Sequence, residues 1–335
     1  MSTVQIADVY NPLTFSQFEQ EAQIEMNAFI DSGVMVMNPL VSSMLAIGGT
    51  IGELPFYKPL GTPEPNYSND VVGDTSTPNN IASDKMVFRI AAQNQSWSTM
   101  DLAVEVALAD PVGAINDRVG SYWATTNERR IIQSCLGVLA DNVANDSSDM
   151  LKTVATDSAA AITDAERINA DVIIDAKQTM GDHAMNLAVI ALHSVPYSKL
   201  QKENLIDFIP DARGEVNIAT YQGMRVVVDD SLPAVMGVER ITYTTIIFTT
   251  GAFAGGFRAP ENGSALERDE KAGNGAGEQT LFSRRTDVIH PLGFTFTSTS
   301  VAGESATLAE LATAANWNRV WSRKSTGLAF LQTNG

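Results

Sequence analysis

The residues of this chain that could carry chemistry are few and far apart. Nucleophilic catalysis needs a Ser or Cys within reach of a His that a carboxylate orients, and the nearest approach to that pattern is His193 beside Ser194. Neighbouring residues on a strand point to opposite faces, so the pair reads as a strand-end His followed by the capping Ser of the next helix. The G-x-S-x-G elbow is absent. Asp229 and Asp230 close an apolar strand, where carboxylates can hold magnesium or calcium. Together with His193 they define the enzymatic alternative, a metal-assisted hydrolase. Against it, Ser231-Leu232-Pro233 follows at once, which is turn chemistry, and neither His183 nor His290 has the H-x-x-x-H or H-E-x-x-H spacing of a metal site. The GNGAG run at 273–277 imitates part of a phosphate loop, but it lacks the Lys-Ser/Thr that completes one and no helical pattern follows. Cys135, the single cysteine, lies on an apolar helical stripe and reads as a small core hydrophobe. No catalytic residue, cofactor or metal is expected.

The remaining candidates are groups suited to contact. Of 335 residues, 44% are hydrophobic and only 18% charged, so disorder is excluded and much nominal surface is expected to meet other protein. The formal charge is −17, the opposite of the footprint of a phosphate-gripping protein. An acidic wall can still enclose a nucleic acid without binding it. Arg319, Arg323 and Lys324 flank Trp317 and Trp321, and the favoured reading is a charged rim around a Trp-anchored protein contact. The paired Arg284 and Arg285 suit carboxylates of another subunit. No apolar run reaches 18 residues and MSTVQIADVY lacks a basic start, so neither a membrane span nor a secretory signal is expected.

These groups must be positioned by recognisable elements. Thr14 and Gln17 form a capping box ahead of Phe15, Phe18, Ala22, Met26 and Phe29 at helical spacing, ending at Gly33; the dozen residues before it read as an arm. From Asn38 to Ser83 six prolines punctuate short pieces such as GELPFYKPL, giving a long extended loop or hairpin that carries Phe56 and Tyr57, with a return strand from Lys85 to Trp97. Ser98 and Asp101 open a short helix. Asp110-Pro111 then starts a helix of roughly 30 residues, spanning about 45 Å. Residues 141–158 read as a loop. A helix from Thr163 to near Gly181, the doubly buried strand NLAVIALHS, a helix from Ser194 to near Phe208, and the strands GMRVVVDD and TYTTIIFTTGAF make an α+β or α/β unit over about 151–280. SRRTDVIHPLGFTFTSTS is strand material, and the tail has near-helical spacing from Leu308 to Trp321.

In this order the segments DVYNP, WSTMDLAVEVALADPVGAINDRVGSYWATTNERRII, ALHSVPYSKLQKENLIDFIPD, TYQGMRVVVDDSLP, and TGAFAGGF through LFSRRTDVIHPLGFTF resemble the major capsid proteins of tailed bacteriophages. The resemblance implies an α+β fold of the Hong-Kong-97 type. Its parts would be an N-terminal arm (1–37), an extended loop (38–95), a peripheral domain with a spine helix (96–150), an axial domain (151–280) with the Gly-rich loop near its tip, and returning peripheral strands with the C-terminal tail (281–335). It implies self-assembly as pentamers and hexamers into an icosahedral shell around double-stranded DNA, in the virion, after assembly in the bacterial cytoplasm. Partners implied are a separate scaffolding protein, a portal protein and, in some members, a decoration protein. Phe15, Phe18, Phe56, Tyr57, Arg284, Arg285, Trp317, Trp321 and Arg323 become candidate inter-subunit contacts. Lys58 and Lys85 match no crosslinking context, and crosslinking is not inferred. A tail-tube or decoration subunit is the other structural alternative; those are smaller and strand-dominated.

Overall fold

Pro39 starts a helix rather than preventing one. In the computed structural model, which describes residues 29, 32–107, 111–203, 206–210 and 217–335, a short strand β1 (Met35–Met37) leads into α1 (Pro39–Ile47). Asn38 caps α1 by accepting from the Leu40 N–H at 2.9 Å, and proline at the first helical position loses no bond the helix would make. The reading of an unbroken loop from residue 38 is corrected accordingly. Residues 1–28, 30 and 31, which hold most of the expected arm and helix and with them Phe15 and Phe18, lie outside the described residues.

Strands β2 (Ile51–Tyr57) and β3 (Ser83–Arg89) form an antiparallel hairpin in register from Ile51↔Arg89 to Tyr57↔Ser83. The Phe88 ring lies where a Cβ on Gly52 would be, so the hairpin needs glycine there. The expected return strand is split at Ile90, whose N–H bonds to Thr50. Beyond the break, β4 (Ala91–Met100) leaves the hairpin for another sheet. After α2 (Asp101–Ala107) comes the long helix α3 (Pro111–Asn145), 35 residues or about 52 Å. Its C-terminal half is core, with Ile131, Ile132, Cys135, Val138 and Leu139 all at most 6% exposed. Asp141 and Asn142, expected in a loop, are still helical.

The next stretch builds an eight-stranded mixed sheet. Seven of its eight members, in chain order, are β5 (Leu151–Thr153), β6 (Leu187–Leu192), β7 (Asp207–Pro210), β8 (Asn217–Tyr221), β9 (Met224–Val228), β10 (Ala234–Met236) and β11 (Ile241–Thr249), with α4 (Ala170–Gln178) and α5 (Ser194–Lys202) between them; the eighth comes from the chain end. One face packs Ile190, Leu192, Met224 and Ile247 against Ile173 and Ala176 of α4 and Leu200 of α5. The other face packs Val189, Ala191, Ile246 and Phe248 against the buried half of α3. Strand β6 is covered on both sides, as its unbroken apolar run requires.

At Thr249 the chain leaves this sheet. Strands β12 (Phe253–Arg258), β13 (Ser264–Asp269) and the 14-residue β14 (Glu278–Pro291) join β1 and β4 in a second sheet. β14 is its backbone: β4 pairs along one edge, while β12 and β13 divide the other. Residues 253–291 thus share a sheet with β1 and β4, and the Gly-rich segment is a tight β13–β14 turn with positive φ at Gly273, Asn274, Gly275 and Gly277. It sits against α2, with the Asp101 N–H bonded to Gly277. The tail is not one helix. β15 (Phe294–Phe296) pairs with β16 (Trp317–Arg319) around a four-residue helix α6 (Leu308–Leu311), and β17 (Leu328–Thr333) inserts between β5 and β11 of the first sheet. The chain end thus closes the sheet that residues 151–249 began.

Candidate assembly interface

The hairpin of β2 and β3 continues into a segment that no other part of the subunit covers among the described residues. Every residue from 57 to 83 is exposed, among them Tyr57 at 73%, Tyr67 at 75% and Val72 at 100%. The segment is closed at its root by the Lys58 N–H on Ala82 and by the Lys58–Asp84 ion pair at 2.9 Å. Farther out, Asn66 bonds to Thr77 through its amide, and Asn69 accepts from the Val71 N–H while donating to Asp74. These bonds shape the segment from within. Burying it against the rest of the subunit plays no part.

The candidate contact residues divide. Phe56 is half-buried and meets Trp321 edge to face at 5.9 Å, so both anchor the hairpin root to the tail within one subunit. Tyr57 alone of the described candidates is fully presented. Trp317 is 3% exposed; it stacks on His290 and donates Nε1–H to the Leu311 carbonyl at 2.7 Å. It is a core residue, and its assignment as an interface anchor is withdrawn. The basic rim is also corrected. Arg319 grips Asp149 through both guanidinium nitrogens (2.7 and 3.1 Å), Arg323 donates to the Asp149 carbonyl, and Lys324 pairs with Asp182. Burial pushes the Asp149 carboxyl up, but the Arg319 and Asn142 hydrogen bonds outweigh it and leave the group below its ordinary range. Arg319 and Arg323 staple the tail to the turn after α3 across 170 or more residues of sequence.

Arg284 and Arg285 point to opposite faces of β14, as the period of two demands. Arg285 lies 3.3 Å from Asp287 and 4.7 Å over the Phe257 ring. Asn127 links the pair, its amide nitrogen donating to Asp287 and its oxygen accepting from Arg285. With Arg130 and Gln93 this makes a charged cluster buried between α3 and β14, which the sequence reading missed. The signal available was Asn127-Glu128-Arg129-Arg130 interrupting an apolar helical stripe. Glu128 plays a separate part, accepting from the Phe29 N–H at 2.8 Å and so tying the chain entering β1 to α3.

The fold brings His193 and Asp230 of the enzymatic alternative to 3.6 Å from one another, and each of its groups is engaged with backbone. His193 itself caps α5, its Nδ1 accepting from the Val195 N–H, so the capping residue is the His and not Ser194. Asp229 accepts from the N–H and hydroxyl of Ser231, and Asp230 from the Ser194 N–H. Among the described residues no group of three or more His, Cys, Asp or Glu could hold a metal, and no helix is long and apolar enough to cross a membrane. Burial of Cys135 drives its thiol far above the ordinary range.

His290 is wholly buried and donates Nε2–H to the Phe294 carbonyl at 2.8 Å. Burial drops its pKa from 6.5 to about 4, against a smaller upward pull from that carbonyl. Between these values the unfolded chain binds a proton that the folded subunit refuses, so stability is complete above about pH 6.5 and falls as pH drops toward 4. Going from pH 7 to 5 is expected to remove about 2 kcal/mol through this one group. Urea unfolding of wild type and His290→Gln at both pH values checks it; equal pH dependence in the two proteins would refute it.

A family model described as major capsid protein 13-like matches residues 99–327. A curated relative, the major capsid protein of Bacillus phage SPP1, is 30% identical over 329 residues, covering 97% of this chain and 96% of its own length. Among solved structures, the capsid of Ralstonia phage GP4 superposes with a TM-score of 0.63 at 12% identity over 100% of this chain and 98% of that one. The capsid asymmetric unit of cyanophage Pam1 does so with a TM-score of 0.58 at 10% identity, over 96% of each chain.

Proposed function

The chain belongs to the major capsid protein 13-like family, and from that premise we propose how its surfaces build the shell. It is a major capsid protein of a tailed bacteriophage with the Hong-Kong-97-type fold, a structural subunit of an icosahedral capsid. In our reading the copies gather as pentamers and hexamers, and the segment between β2 and β3 laps over a neighbour. The observation that carries this is the unbroken exposure of residues 57–83 with Tyr57, Tyr67 and Val72 on them. Such side chains gain from burial only when another chain supplies the cover. Residues 1–37 act as a second lapping arm, residues 96–150 with the second sheet as the peripheral body, and the eight-stranded sheet as the axial body. The shell encloses double-stranded DNA without gripping it, consistent with a formal charge of −17. Scaffolding, portal and decoration proteins are the further partners of this reading, and assembly takes place in the host cytoplasm before the subunit resides in the virion. This reading assigns no catalytic step to the subunit; Asp229, Asp230 and His193 each accept from a backbone N–H.

The test is a loop exchange. Removing 42–82 would take out Leu45 and Leu54, which are 1% and 4% exposed in the core beneath α1. Replacing residues 59–81 with a short Gly-Ser turn leaves that core whole. The variant is expected to melt within about 3 °C of wild type, since exposed segments contribute little to stability, and to give no closed shells by electron microscopy. Normal particles would contradict the interlocking role.

A further inference from the structure

One face of the second sheet is only half covered. The face bearing Ser283, Arg285 and Asp287 lies against α3, where Trp123 donates to the Ser283 hydroxyl at 2.9 Å. On the opposite face α1 covers only the β12 end, with Val41 and Leu45 over Gly256. Past α1, Ala92 and Asn94 of β4 are exposed and Phe282 and Arg284 of β14 partly so, with Asn94 directly opposite Arg284 in the ladder. The outer edge of β4 is paired with no strand among the described residues; at Ala92 the Ser305 hydroxyl takes up the N–H and the carbonyl (2.9 and 3.3 Å), and the edge beyond it, from Asn94 on, is the part left open to a strand. Arg284 is fixed in place: its guanidinium carbon stands 5.4 Å over the Phe282 ring and Nη1 donates to the Asn262 carbonyl at 3.1 Å. It makes no ion pair among the described residues, although the chain has 39 acidic residues against 22 basic ones. A held, half-exposed guanidinium with free donors is a carboxylate receptor.

The complementary charge stands on the same chain at a distant place. Between Pro59 and Asp84 there is no Lys or Arg, while Glu64, Asp70 and Asp74 are present. Asp74 accepts from Asn69; Glu64 and Asp70 have no partner among the described residues, and both are fully exposed. We propose that Arg284 and the open β4 edge receive the acidic segment 59–82 of a second copy, with Glu64 or Asp70 on the guanidinium. This assignment rests on the interlocking reading above and names its receptor. It explains why subunits that repel one another at −17 apiece meet in one register. Arg285, engaged with Asp287, cannot serve, so only one member of the arginine pair is a contact residue.

Charge exchange in the full chain tests this under conditions that give shells from wild type. Arg284→Glu is expected to cut shell yield about tenfold or more, as expected for a like-charge contact across an interface, with thermal unfolding of the free subunit unchanged. The double variant Glu64→Arg with Asp70→Arg should do the same, and combining all three should restore yield to within about threefold of wild type. Normal shells from Arg284→Glu, or no recovery in the combination, would overturn the assignment. If the loop exchange abolishes shells while Arg284→Glu does not, the interlock stands and this receptor falls; if the loop exchange itself gives normal shells, the interlock falls first. Should Arg284→Glu fail to fold, Asn94→Cys with Asp70→Cys decides the matter, because the native Cys135 is buried. Oxidised shells should then show disulfide-linked multimers, and their absence would end the proposal.

Discussion

Gly137→Ala will prevent the subunit from packing its tail, and soluble yield and melting temperature will fall together. On α3 a Cβ at this position would overlap the Leu311 carbonyl oxygen and the indole nitrogen of Trp317, the two atoms that bond to one another at 2.7 Å. Neither can retreat. Leu311 ends α6, and Trp317 is wedged between His290 and Phe296 with ring centroids 5.9 and 4.9 Å away. The substitution therefore breaks a buried hydrogen bond and forces apart a close-packed core, at a cost of several kcal/mol, about the range of severe overpacking plus an unmet donor. Trp317→Ala removes the same contact from the other side and should cost about 3–5 kcal/mol. Gly120, on the exposed half of the same helix, leaves open space within 4 Å of where a Cβ would stand, so Gly120→Ala should stabilise by about 0.5–1 kcal/mol. Thermal unfolding of the three variants provides the check. A Gly137→Ala subunit as stable as wild type would show that α6 does not press on α3.

Asp287→Ala is the second large effect, expected to destabilise the subunit by about 3–5 kcal/mol, the cost of leaving buried charge uncompensated. Asp287 is 1% exposed between Arg130, Arg285, Asn127 and Gln93. Burial pushes its carboxyl up, while Arg130 and Arg285 pull it back down. Burial likewise lowers the Arg130 pKa, opposed by Asp287. The three charges hold one another in a place none would occupy alone. Deleting the carboxylate leaves two guanidinium groups facing each other in the core, whereas Asp287→Asn keeps the shape and part of the hydrogen bonding and should cost about 1–3 kcal/mol. Urea unfolding that places Asp287→Ala within about 1 kcal/mol of wild type would mean that water or rearrangement satisfies the arginines. The cluster sits where α3 crosses β14, and β14 pairs with β4 along ten residues. A loosened cluster would thus also loosen the sheet that carries Arg284.

What could be read from the sequence was local. The helix from Pro111 was legible because its apolar recurrence is long and its start has a proline at the first turn; β6 was legible because an unbroken apolar run leaves few other fates. The helix α1 was missed because its proline was read as a breaker when Asn38 makes it a starter. Phe56 was read as a candidate contact with another subunit, whereas the ring it meets in the fold, Trp321, stands 265 positions on in the same chain.

The amino-acid order by itself determined the chain's acidity, its longest helix and its doubly buried strand, since each depends on composition or on spacings of a few residues, and the joint order of its segments carried the resemblance to a family of shell-forming subunits. Only the tertiary structure decided which of the adjacent arginines is free, that Trp317 and Arg319 face inward, and that the last strand completes a sheet begun at residue 151. The physical reason is that burial, and ion pairs such as Arg319–Asp149, arise between residues far apart in the chain, and one face of a strand differs from the other only by what the fold lays against it.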